Sequence, residues 1–199
     1  MGKFYICSYG GSGSKLLTSA LSRYGMVYHI HSKKPPSKLE YIGCEKGGNT
    51  YHEWFNGVPI SDNELQNYIV IYIYRNPVKS IISRFNNPNH LRHIQVENIN
   101  IKIDDIVEKM KDLYDINGFY NNYTKPDTNN PRNYKIINIR YKDIFEKQDE
   151  ISKWLGVGPL HLVKKERNNV LPSEKMDKLN EVYQDLIMEM ESNDFIFES

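Results

Sequence analysis

A chain of 199 residues is long enough for one domain with a sizeable core and short for two, and 39% hydrophobic with 26% charged residues is an ordinary globular balance. The formal net charge of +1 gives no global electrostatic case for nucleic acid or an anionic membrane surface. No apolar run approaches the roughly 20 residues of a membrane span, the N-terminus lacks the pattern of a signal peptide, and Cys7 and Cys44 are too few for a disulfide framework, so a cytoplasmic protein with free thiols is expected.

The chain begins with an apolar, β-favouring run over 4–7 that enters a turn rich in glycine and serine, Ser8 to Ser14. A helical pattern follows over 14–24, with Leu16, Leu17, Ala20 and Leu21 on one face. Strand, glycine-rich turn and helix make a phosphate cradle: glycines let the backbone approach an anion, and the N–H groups of the helix start point at it. Lys15 adds a full charge. The plainer alternative is a tight turn that happens to be rich in Gly and Ser. The register is not that of a metal–nucleoside triphosphate loop. Ser14 separates Gly13 from Lys15, Leu16 stands where a magnesium-binding hydroxyl belongs, and Ser8 takes the place of the first glycine.

A second short strand is expected over 26–30, ending in His29-Ile30-His31. Residues 32–62 carry Pro35-Pro36, Gly43, Gly47-Gly48, Gly57 and Pro59, and read as a long lid or substrate-binding loop. Its aromatics Tyr41, Tyr51, Trp54 and Phe55 suit either a wall around a ring-shaped acceptor or a small core of the loop itself. Tyr68 to Tyr74 is a nearly continuous apolar run, as in a parallel strand covered on both faces. It ends in Arg75-Asn76, and Pro77 suits the first position of a helix whose apolar side is Ile81, Ile82 and Phe85.

One helix is expected over 104–120, with Ile106, Val107, Met110, Leu113 and Tyr114 at helical spacing. A polar loop over 123–133 leads to a strand over 135–139 and then to Arg140-Tyr141-Lys142-Asp143, with a helix running to Leu155 and stopped by Gly156. A basic, irregular stretch holds Lys164, Lys165 and Arg167. One last helix is expected over 173–190, with Ser173 as its N-cap. Alternating strands and helices imply an α/β fold of three layers around a mainly parallel sheet, with ligands at the carboxyl ends of the strands. Gly10 to Lys15, His29, His31, Arg75 and Tyr141 all fall at such ends.

Arg75 closes a strand, and Ser83 lies eight residues on, about two turns down the next helix. Here the sequence resembles the sulfotransferase family, which transfers a sulfuryl group from 3′-phosphoadenosine 5′-phosphosulfate (PAPS) and leaves 3′-phosphoadenosine 5′-phosphate (PAP). Ser12-Gly13-Ser14-Lys15-Leu16-Leu17 is similar to that family's 5′-phosphosulfate loop, and Tyr74-Arg75-Asn76-Pro77 through Ser83-Arg84-Phe85 to its 3′-phosphate motif. Asn138 to Asp143 is similar to a strand-end Tyr-Glu-Asp segment of many members.

The resemblance implies a P-loop-like turn in which Gly11, Ser12, Gly13, Ser14, Lys15 and Leu16 hold the 5′ end. It implies that Arg75 and Ser83 hold the 3′-phosphate, with Tyr141 also at the nucleotide. It further implies that Arg167, helped by Lys164 or Lys165, closes over that phosphate. Many members carry a catalytic lysine just before the Ser-Gly pair, where this chain has Gly11, so the resemblance leaves Lys15 as the loop's catalytic lysine.

Sulfuryl transfer resembles phosphoryl transfer: in-line displacement with charge growing on the leaving oxygen, served by positioning and cations without a metal. His29-x-His31 alone is too little for a metal site. The family places a base at the end of the second strand, where His31 stands nineteen residues past Ser12, with His29 on its face. An unperturbed histidine titrates near 6.5, so a neutral base is at hand at pH 7. Two surface histidines are the alternative, with Glu45, His52 or Glu53 then supplying the base. The acceptor is open among carbohydrate, phenol, lipid and peptide. Rival readings are a P-loop nucleotide or metabolite kinase, which calls for a metal-ligating acid where Arg75 stands, and a nucleotide-binding protein without activity, which Gly11 permits.

Overall fold

A computed structural model describes residues 2–41, 50–51, 58–85, 90–91, 94–164 and 171–199. Among these, six strands form one sheet, β1 (Gly2–Cys7), β2 (Gly25–Ile30), β3 (Thr50–Tyr51), β4 (Tyr68–Tyr74), β5 (Ile136–Arg140) and β6 (Ile196–Glu198). Their spatial order is β3-β2-β1-β4-β5-β6. All neighbours are parallel except β6, which runs antiparallel to β5. From β1 the chain therefore builds outward to β2 and β3, then returns to the other side of β1 for β4 and β5. The reversal falls between β1 and β4. At such a point the connections leave the sheet in opposite directions and open a crevice at the carboxyl ends.

Side chains alternating along β1 show the opposite directions. Phe4 and Ile6 pack with α1 (Ser14–Leu21), through Leu17, Ala20 and Leu21. Tyr5 and Cys7 point the other way, to the face covered by α3 (Pro77–Arg84), which follows the short α2 (Asp62–Leu65). The same face takes α4 (Ile103–Lys109) and α5 (Ile116–Thr124), while α6 (Gln148–Trp154) joins α1. The helices α7 (Ser173–Val182) and α8 (Gln184–Ser192) complete the α3 side. A strand such as β4, buried on both faces, must be apolar throughout, as its seven residues are.

The α3 face is built from stacked tyrosines whose hydroxyls need partners. Tyr72 stacks on Tyr123 at 4.5 Å, and the Tyr123 hydroxyl donates to the Ser32 carbonyl at 2.7 Å. The other face is mainly aliphatic, with Phe4 buried among Ile, Leu and Val side chains.

Three expectations need correction. The helix expected over 104–120 is two, α4 and α5, separated by Met110 and Asp115 in the left-handed region. The helix expected over 173–190 is also two, broken at Tyr183. A single contact links the breaks: Tyr183 donates its hydroxyl proton to Asp112 Oδ1 at 2.7 Å, while Asp112 Oδ2 accepts the Asn117 N–H at the start of α5. Ser173 is the first helical residue, and no side-chain hydrogen bond caps α7. The strand β6, with Phe195 to Phe197 as its sequence signal, was not expected and closes the sheet beside β5.

Within 32–62, β3 pairs with β2, and Glu40 bridges Pro59 antiparallel. Tyr41 donates to Glu64 and packs against the main core of the sheet; Trp54 and Phe55 lie outside the described residues.

Candidate functional site at the carboxyl edge

The turn from β1 to α1 crosses the edge of the sheet from one face to the other. Tyr9 anchors its start among the α3-side aromatics, 5.0 Å from Phe85 and 5.4 Å from Phe119 between ring centres, and Leu17 anchors α1 on the opposite face. In between, Gly10, Gly11 and Gly13 have φ of 112°, 67° and 81°, the region that a Cβ makes costly. Space forbids side chains as well. A Cβ on Gly11 would lie 2.8 Å from the Ser80 carbonyl oxygen, and one on Gly13 2.2 Å from the Tyr141 ring.

The three glycine carbonyls of the turn have partners, and its N–H donors have none among the described residues. Ser12 Oγ donates to the Gly10 carbonyl, Arg75 Nη1 donates to the Gly11 carbonyl at 3.0 Å, and the Gly13 carbonyl takes the N–H groups of Leu16 and Leu17. The backbone N–H groups of residues 9–15 make no hydrogen bond among the described residues, and Gly13 brings no capping side chain to α1. N–H groups without acceptors at a helix start carry partial positive charge, to which the dipole of α1 adds.

Beneath the turn lies a buried polar cluster. Ser8 Oγ donates to Ser14 Oγ at 2.8 Å, and Ser14 Oγ shares a 2.8 Å hydrogen bond with His29 Nε2. Burial, followed by the charges of Arg84 and Lys15, lowers the His29 pKa to about 4, so that ring is neutral at pH 7. His31 sits just past β2, 3% exposed, with its ring 4.4 Å from that of His29. Its Nδ1 lies 2.8 Å from the Ser8 carbonyl. A carbonyl only accepts, so Nδ1 carries the proton and Nε2 is the basic nitrogen of the neutral ring. Both histidines are buried, which excludes the surface reading.

The other expected residues distribute as follows. Lys15 is exposed on the first turn of α1, and Leu16 is half-buried beside it. Arg75 is half-buried, with its guanidinium carbon 4.9 Å from the centre of the Tyr141 ring, so Gly13, Tyr141, Arg75 and Gly11 form one contiguous group across the β1, β4 and β5 ends. Ser83 is half-buried on the last turn of α3. Lys164 is exposed; Lys165 and Arg167 lie outside the described residues, as do Glu45, His52 and Glu53. No group of three or more His, Cys, Asp or Glu side chains able to hold a metal occurs among the described residues.

Two participants were named in the sequence without a role at the site. Ser8 orients His31 through its carbonyl and Ser14 through its hydroxyl. Arg84 lies along Gly10 and Gly11 and is the first charge felt by His29. The sequence signal for Arg84 is faint: a charge between the buried Ile82 and Phe85, one helical turn past the buried Ser80. No known family model matches the chain, and no curated protein is significantly similar to it.

Proposed function

We propose that this protein is a PAPS-dependent sulfotransferase, moving a sulfuryl group to a hydroxyl or amine of a small-molecule or carbohydrate acceptor. The observation that carries the reading is the run of N–H donors over residues 9–15, at the β1–β4 crevice, with the Arg75 guanidinium on the same turn. Donors and guanidinium fit an anionic ligand with a phosphate at each end. The acid that a metal–triphosphate enzyme needs at the end of the central strand is replaced by Arg75.

In this mechanism the turn, read as P-loop-like, cradles the 5′-phosphosulfate through its amides and Ser14, and Arg75 and Ser83 take the 3′-phosphate. His31 Nε2 accepts the proton of the acceptor as the new bond to sulfur forms. The bond from sulfur to the bridging oxygen breaks, and its electron pair stays on the 5′-phosphate of PAP. Lys15, whose charge reaches the site from the first turn of α1, offsets that developing charge. The neutral His29 holds Ser14 in place from below.

The decisive experiment is calorimetry with PAP in the absence of divalent metal. Micromolar binding that ignores added magnesium is expected. A requirement for magnesium, or preference for ATP over PAP, overturns the reading in favour of a kinase. Binding of PAP with no transfer from labelled PAPS across a broad acceptor panel would identify a nucleotide-binding protein instead.

A further inference from the structure

The glycine turn carries no cation of its own where the family resemblance asks for one, although Arg75 reaches the Gly11 carbonyl from the end of β4. Gly11 precedes Ser12, and Lys15 stands exposed on the helix beyond. A cation from the opposite layer reaches that place. Arg84, the last residue of α3, follows Ser80 by one helical turn, and the two together press on the glycines. A Cβ on Gly10 would stand 3.3 Å from Arg84 Cγ, 3.4 Å from Nε and 3.6 Å from Cδ. A Cβ on Gly11 would stand 3.4 Å from Arg84 Cβ and 2.8 Å from the Ser80 carbonyl oxygen. The approach of Nε to Gly10 brings the head of the side chain to the turn, not only its stem. Gly10 and Gly11 are thus the residues that admit an arginine from α3.

Arg84 is half-buried, and its charge acts on His29 ahead of that of Lys15. A guanidinium withdrawn from water interacts more strongly with an anion than an exposed ammonium does, and its fork matches phosphate oxygens.

We propose that Arg84 is the turn's own cation, supplied from α3, and that it binds the 5′-terminal phosphosulfate of the donor where Gly11 has no side chain to do so. The identity of the ligand rests on the sulfotransferase reading; the place of the cation rests on the packing of Arg84 against Gly10 and Gly11. Arg75 and Arg84 then divide the nucleotide between them, with the 3′-phosphate on the first and the 5′ end on the second.

Ligands that differ by one phosphate test this division without an acceptor. Wild type, Arg84→Gln and Arg84→Lys are titrated with PAP, adenosine 3′-phosphate and inorganic pyrophosphate, while the amide resonances of Gly10, Gly11 and Gly13 are followed. Arg84→Gln is expected to weaken PAP and pyrophosphate at least tenfold and to leave adenosine 3′-phosphate within about twofold. Arg84→Lys, which keeps the charge and loses the fork, should recover part of the loss. The His29 titration, read by the same spectra, should move up from about 4 in Arg84→Gln as a positive neighbour disappears.

Equal weakening of PAP and adenosine 3′-phosphate, or no change in either, removes Arg84 from the 5′ end and overturns the proposal. Should Arg84→Gln not fold, wild-type affinity for PAP in Arg84→Lys overturns it equally. Pyrophosphate binding at the glycine amides that depends on Arg84, with no binding of either adenosine ligand, upholds the cation and sinks the nucleotide reading.

Discussion

Two neighbouring strand-to-helix turns on one edge of the sheet solve the same problem in opposite ways. After β4, Asn76 Oδ1 accepts the Lys79 N–H at 3.1 Å, Pro77 has no N–H to satisfy, and the Asn76 carbonyl takes the Ser80 N–H, so α3 closes its own start. After β1, the cap position of α1 is Gly13, left-handed and without a side chain, and the donors before it are left to something outside the described chain. A capped helix start is complete as a piece of architecture. An uncapped one, held in place by glycines that a Cβ would strain, forgoes stability at the spot where an anion can supply it.

The contrast breaks most sharply at Gly13. Gly13→Ala imposes a left-handed alanine and drives a Cβ into the Tyr141 ring, for a combined cost of about 3–4 kcal/mol. Thermal unfolding should register that loss and calorimetry the disappearance of PAP binding. Adding Tyr141→Ala should return the packing part of the cost and leave the backbone part. Wild-type stability in Gly13→Ala alone would mean that the turn is not held as described.

Acid tests the buried side of the same turn. The unfolded chain protonates His29 near the ordinary 6.5, and the folded chain only near 4. Between those values the unfolded state binds more protons, so stability is full above 6.5 and falls as pH drops toward 4. The loss amounts to about 3 kcal/mol. In His29→Gln this part of the acid dependence should vanish from urea denaturation curves collected across pH.

His31 sharpens the comparison on the chemical side, because the turn after β1 orients it through Ser8. His31→Ala should lower turnover by roughly 100-fold, the usual worth of a positioned base, with PAP affinity nearly unchanged. An equal loss of PAP affinity would make His31 a binding residue.

Arg75, on the capped turn, should matter for one phosphate. Arg75→Ala should weaken PAP by about 2 kcal/mol, more than tenfold, and adenosine 5′-phosphate by less, a difference calorimetry resolves. The smallest effect belongs to the cap itself. Asn76→Ala should cost about 1 kcal/mol of stability and leave PAP affinity as it was. A large drop in affinity there would erase the distinction between the two turns.

The sequence by itself determined the elements whose signals are local. β4 is a seven-residue apolar run that punctuation ends at Arg75, and α3 begins at the proline that suits a first helical position. The glycines of the first turn announce a backbone open to close approach, and alternation of strands and helices implies a parallel sheet. The shared face of His29 and His31 follows from the two-residue period of a strand.

Only the tertiary structure decided what depends on partners distant in the chain. Periodicity carried two helical patterns straight through 112 and 183, yet the Asp112–Tyr183 hydrogen bond joins the places where both stop. Nothing within either segment encodes the other. The β1–β4 reversal likewise needs the order of strands in space, and it brings the end of α3, with Arg84, over glycines more than 70 residues earlier. Local pattern specifies what each segment can become on its own. Burial of both sheet faces at once selects which segments meet, and that meeting placed a guanidinium on the turn.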